Sequence, residues 1–175
     1  RIIYTAKDRV KDGEISRYED LADPRWRGKI CTRSGKHTYN LSLIGSMIAV
    51  HGEAETEQWL QGVKANLARK PQGNDRAQVK AVKEGVCDIA LGNSYYFGKM
   101  ITNAEKPEQI GWAKSVNLLF PNQQDRGAHM NISGVPRIVA PGAATYDSTI
   151  DIPLLNPGTA ISRTPLIIFM PIVLT

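Results

Sequence analysis

Tyr95 and Tyr96 stand side by side behind an apolar run, Val86-Cys87-Asp88-Ile89-Ala90-Leu91, that is bounded by Gly85 and Gly92. The run reads as a short buried strand, and Gly92-Asn93-Ser94 has the chemistry of a turn and a helix cap. Within a strand the two side chains would face opposite ways; in mid-helix they would diverge by about 100°. At the mouth of a strand-to-helix turn they can converge on one point outside the strand's carboxyl end, where open α/β sheets bind ligands. One reading is plain: one ring packs in the core and the other covers the surface. The other reading is chemical. A phenol with an ordinary pKa of about 10 becomes a ligand at neutral pH only when a cation drives off its proton. Ferric iron, a hard acid that prefers anionic oxygen, is such a cation. Asn93-Ser94 would put the pair on the first turn of a helix, where the dipole also favours a phenolate.

Three stretches together resemble the periplasmic ferric-ion-binding proteins, the solute-binding components of bacterial iron ABC transporters. They are Gly92-Asn93-Ser94-Tyr95-Tyr96, the run from Ala65 through Pro71-Gln72-Gly73-Asn74-Asp75-Arg76, and the run from Cys31 through Lys36-His37-Thr38-Tyr39-Asn40. The resemblance runs in order from about Arg1 to Gly134. The family has a third tyrosine upstream of the pair, and Tyr39 holds that position here. The resemblance therefore implies Tyr39, Tyr95 and Tyr96 as the iron ligands of this lobe, three phenolates against one Fe(III). It also implies a synergistic anion such as carbonate, an inner-membrane ABC permease as partner, a periplasmic location and a second lobe. Arg1-Ile2-Ile3-Tyr4 reads as mid-strand, so the expectation is a fragment in which the other lobe is missing.

Positioning these residues falls to an expected α/β lobe of the type II periplasmic-binding fold, with a mostly parallel sheet flanked by helices. Arg1-Ile2-Ile3-Tyr4 and Lys29-Ile30-Cys31-Thr32 read as strands. Ser16-Arg17-Tyr18-Glu19 has capping-box spacing and opens a short helix that Asp23-Pro24 ends. A helix from Thr38 should bury Leu41, Ile44 and Ile48 and stop at Gly52; the next, from Glu53, should bury Leu60, Val63 and Leu67. Asp75 reads as the N-cap of a helix through Lys83. A helix follows Ser94, and Leu118-Leu119-Phe120 and Ala128-His129-Met130-Asn131-Ile132 read as later strands. Tyr39 then lies on the first turn of its helix, as Tyr95 and Tyr96 do on theirs.

The chain has 175 residues and a net charge of +5. Lys64, Arg69, Lys70, Arg76, Lys80 and Lys83 lie on two helices without interleaved aromatics, which favours a solvated face over nucleic-acid binding. No stretch has the roughly 20 apolar residues that span a bilayer, and a signal peptide, if the protein has one, is not expected within this chain. Cys31 and Cys87, the two cysteines, fit either buried thiols or a disulfide, and no zinc spacing is present. Arg33, Ser34 and Gly35 form a candidate anion site at a loop-to-helix junction, and Arg1 could join it. His37 could support the metal. No nucleophile elbow surrounds Ser34, and neither a dinucleotide nor a Walker loop is present. The expectation is therefore a binding protein and not an enzyme; the alternatives are an oxyanion or small organic anion lobe and, further off, an enzyme or effector domain on the same fold. Residues 1–134 read as the iron-binding lobe with hinge strands. The tail 135–175 holds six of the ten prolines, no Lys and no Glu, shows no helical period and is left unassigned.

Overall fold

The five residues Ile2–Ala6 are buried without exception and form β1, the inner strand on which the sheet is built. The structure, a computed structural model, describes residues 1–131; Ile132 of the expected last strand and the tail from Val135 lie outside the described residues. The other strands are β2 (Ile30–Cys31), β3 (Ile89–Gly92) and β4 (Val116–Leu119), in the order β2-β3-β1-β4. The helices are α1 (Thr38–Ala65), α2 (Asp75–Lys83), α3 (Ser94–Ile101) and α4 (Glu108–Lys114).

The α/β class is as expected, but the sheet is mixed. β2 pairs with β3 in parallel, whereas β1 is antiparallel to both β3 and β4. β2, β3 and β4 are linked through helices and point one way. β1 enters without such a crossover and slots between β3 and β4 in the opposite sense, so two of the three ladders are antiparallel. Alternation along the strands then separates two cores. Ile3, Ile30, Ile89 and Leu91 pack with Leu43, Met47, Trp59 and Val63 of α1, while Tyr4, Ala6, Cys31 and Ala90 pack with Val79 and Val82 of α2 and Met100 of α3. Burial on both faces is why β1 and β3 read as unbroken apolar runs.

Helix α1 departs from the expected register. Gly52 interrupts it with φ 79°, which ends one helical stretch and starts another as glycine permits. In the first stretch Asn40, Leu43 and Met47 are buried, whereas Leu41 and Ile48 are 51% and 38% exposed. The sequence holds two overlapping apolar stripes one position apart. Asn40 selects between them: turned inward, its amide donates to the Arg33 and Ser34 carbonyls at 3.0 and 3.2 Å. In the second stretch Trp59 and Val63 are buried and Leu60 only partly, while Leu67 lies past the helix end and is partly buried.

Other boundaries moved for similar reasons. Ser16–Leu21 is not an α-helix: two 3-10 turns, Glu19–Ala22 and Pro24–Trp26, follow each other. Asp20, not Glu19, closes the box by accepting from the Ser16 and Arg17 amides at 2.8 and 3.0 Å. Residues 128–131 form no strand; the His129 amide donates to the Tyr18 hydroxyl at 3.0 Å instead of to a ladder. Helix α4, seven residues behind Pro107 with no side-chain cap bond, was not foreseen. Among the described residues no helix is long and apolar enough to cross a membrane.

Candidate metal centre

Two strand-to-helix turns meet at the carboxyl ends of β2 and β3. The first follows Cys31, the last residue of β2, and reaches Tyr39; the second follows Gly92, the last residue of β3, and reaches Tyr95 and Tyr96. A disulfide joins Cys31 to Cys87 across 56 residues of chain and so ties the end of β2 to the segment that leads into β3. His37 caps α1 by accepting from the Tyr39 amide at 3.2 Å, and Tyr39 falls on the first turn. Gly92 is required where it stands: a Cβ there would lie 2.5 Å from Cε2 of Tyr4. That ring packs under the second turn, and its hydroxyl donates to the Asn93 carbonyl at 2.8 Å.

The three tyrosines come together. The hydroxyls of Tyr39 and Tyr95 lie 3.1 Å apart, and the Tyr95 and Tyr96 rings are 4.3 Å apart between centroids. Tyr95 is the most open, 45% exposed. Burial pushes its pKa up, but the hydroxyl contact with Tyr39 outweighs this and leaves it below its ordinary value. Tyr39 and Tyr96 shift the other way, chiefly because both phenols lie against Tyr95. Basic groups surround the rings: Arg33 lies 5.2 Å from the Tyr39 centroid, Lys99 5.4 Å from that of Tyr95 and Arg76 4.9 Å from that of Tyr96.

The expected anion residues separate. Arg1 is not turned toward an open cleft: its side chain is fully buried and bonds Asp75 at 2.7 Å. Arg33 also bonds Asp75, at 3.1 Å, and keeps a buried Nε with no partner among the described residues. Ser34 and Gly35 are exposed, and the Ser34 hydroxyl accepts from the Lys36 amide at 3.2 Å. His37 caps a helix, and burial together with the Arg33 charge lowers its pKa. Asp75 was expected as the N-cap of α2. Asn74 does that work, accepting from the Ala77 amide at 3.0 Å, and Asp75 is buried behind the tyrosines.

Among the described residues no group of three or more His, Cys, Asp or Glu side chains could hold a metal ion. Two phenol oxygens in contact, with a third tyrosine ring packed beside them, form an oxygen-rich cluster of the kind that hard, highly charged cations prefer. An oxygen set of this kind can displace part of the cation's water and neutralise its charge.

No protein-family model matches the chain. It is 48% identical over 136 residues to iron uptake protein A2 of Synechocystis sp., covering 77% of this chain and 39% of that protein. It is 29% identical over 134 residues to the major ferric iron-binding protein of Neisseria meningitidis, covering 76% of this chain and 38% of the relative. Among solved structures, Trichodesmium IdiA (FutA) in complex with iron and citrate aligns with a TM-score of 0.72 and 47% identity, over 74% of this chain and 40% of that one. The apo ferric ion-binding protein A of Pasteurella haemolytica aligns with a TM-score of 0.69 and 52% identity, over 74% and 40%. The chain thus spans about two fifths of the length of these relatives.

Proposed function

This chain is a relative of the periplasmic ferric-ion-binding proteins, spanning mainly one lobe of them, and on that premise we propose that it binds ferric iron through the phenolates of Tyr39, Tyr95 and Tyr96. The observation that carries the reading is the 3.1 Å contact between the Tyr39 and Tyr95 hydroxyls, with Tyr96 beside them. Fe(III) entering the cluster displaces the phenolic protons, and three phenolates balance its three charges. The role is capture and not catalysis. In a complete protein a second lobe would close on the ion and exclude water, and an inner-membrane ABC permease would receive it from the periplasm. A small anion would fill positions that the tyrosines leave open. Arg33, with its unpartnered Nε beside the Tyr39 ring, is the basic group that favours such an anion here.

The test is a titration of the full chain with ferric citrate, followed in the visible region. Phenolate-to-ferric charge transfer gives a band that an anion-binding lobe or an enzyme on this fold does not predict. The band should weaken in Tyr39→Phe and vanish in the Tyr95→Phe, Tyr96→Phe double variant. Iron binding without a band, or a band indifferent to these substitutions, overturns the reading.

A further inference from the structure

We propose that Asp75 is a positioning residue for the tyrosine centre: its buried carboxylate bolts the turn carrying Tyr95 and Tyr96 to the loop carrying Tyr39, and so sets how far apart the phenol oxygens stand. The inference rests on the phenolate reading above and names the group that holds those phenols in register. Asp75 Oδ2 accepts from the Arg1 guanidinium at 2.7 Å and from the Asn93 backbone amide at 2.8 Å, and Oδ1 accepts from Arg33 at 3.1 Å. Asn93 is two residues ahead of Tyr95. Arg1 reaches onward with its other nitrogen to Asn40 Oδ1 at 2.9 Å, next to Tyr39, and Arg33 lies over the Tyr39 ring. One carboxylate on α2 is thereby tied to both tyrosine-bearing turns, although it belongs to neither.

The fold does not call for this group. Asn74 already caps α2. Arg1 and Asp75 have no exposed side-chain surface, and a buried ion pair is on balance a weak stabiliser compared with apolar packing of the same volume. The partners of Asp75 all abut the tyrosine turns, and none belongs to the apolar cores. A carboxylate that fixes ligand-bearing segments through hydrogen bonds is what outer-shell groups of metal sites do, and losing one typically costs about 10–100-fold in metal affinity.

The test compares Asp75→Asn and Arg33→Gln with the unsubstituted full chain. Asp75→Asn keeps the size and one acceptor oxygen but removes the charge. Arg33→Gln keeps the Arg1–Asp75 pair intact, so it remains informative if Asp75→Asn does not fold. Two measurements are made: the charge-transfer band per bound iron with ferric citrate as the source, and the Tyr39–Tyr95 hydroxyl separation in metal-free crystals. The proposal expects ferric affinity to fall about tenfold or more in Asp75→Asn and less in Arg33→Gln. It also expects a weaker or shifted band and hydroxyls moved beyond hydrogen-bond distance. A folded variant with lowered thermal stability but an unchanged band and unchanged separation overturns it, since a merely structural group would behave so. Should the unsubstituted chain give no band, the ferric reading fails by itself, and the metal-free hydroxyl separation still decides for or against the bolt.

Discussion

Cys31 and Cys87 are bonded to each other, and each lies eight residues ahead of a tyrosine whose hydroxyl touches the other's. The two tyrosine-bearing segments are thus arms tied at one covalent point, one leaving the end of β2 and the other leading through β3. Closing a loop of this size restricts the unfolded chain by about 4 kcal/mol in the loop-entropy account. Replacing both cysteines by serine should lower the urea midpoint by a corresponding amount and weaken ferric binding, because the arms lose their common origin. Equal midpoints for the oxidised parent and the double variant would contradict this.

Glu19 is expected to shape acid stability. Burial alone would raise its pKa, but hydrogen bonds from Asn122, Arg126 and His51 prevail and bring it from 4.5 to about 2. A depressed carboxylate stabilises the folded state fully above its unfolded value of 4.5, and that contribution fades as pH falls through about 2. With a quarter of the side chain still open to solvent, its worth is on the order of 1–2 kcal/mol. Glu19→Gln should therefore lower stability at neutral pH and flatten the pH dependence across that window, as read from urea midpoints measured at several pH values.

Gly92 and Gly98 should respond to alanine in opposite directions. At Gly92 the new methyl would strike the Tyr4 ring, which holds the Asn93 carbonyl, so Gly92→Ala should cost about 1–3 kcal/mol and displace Tyr95. At Gly98, inside α3, a Cβ meets nothing within 4 Å, and alanine should stabilise the helix by about 0.5–1 kcal/mol. Denaturant midpoints and ferric affinity of the two variants check the contrast.

The Tyr95–Tyr96 turn was legible because its signals are local: a bounded apolar run, a capping tripeptide and the pair itself. Tyr39 entered through resemblance, since nothing nearby in the sequence marks it. Asp75 was legible as a helix start but not as the hub of the site, for its partners lie 74, 42 and 18 positions away and only tertiary packing brings them to it. Lys99 and Arg76 were hidden in the same way among ordinary surface charges. The rotation of α1 escaped because hydrophobic period cannot choose between stripes one residue apart when a polar side chain decides. Strand direction escaped too, since alternation carries no sense of polarity. Helix α4 is short and uncapped, and so lacks the signals that mark a helix start.

The central place of β1 has a mechanical side. Its register sets Ile2 against Gly92 at one end and Ala6 against Val116 at the other, with ladders along both edges. Tension exerted at the amino end of β1 would run along the strand, loading the rungs on both flanks in shear and not peeling them one by one. The floor beneath the tyrosines is therefore stiff to pulling from that direction, so movement there should be taken up in the turns and not in the sheet.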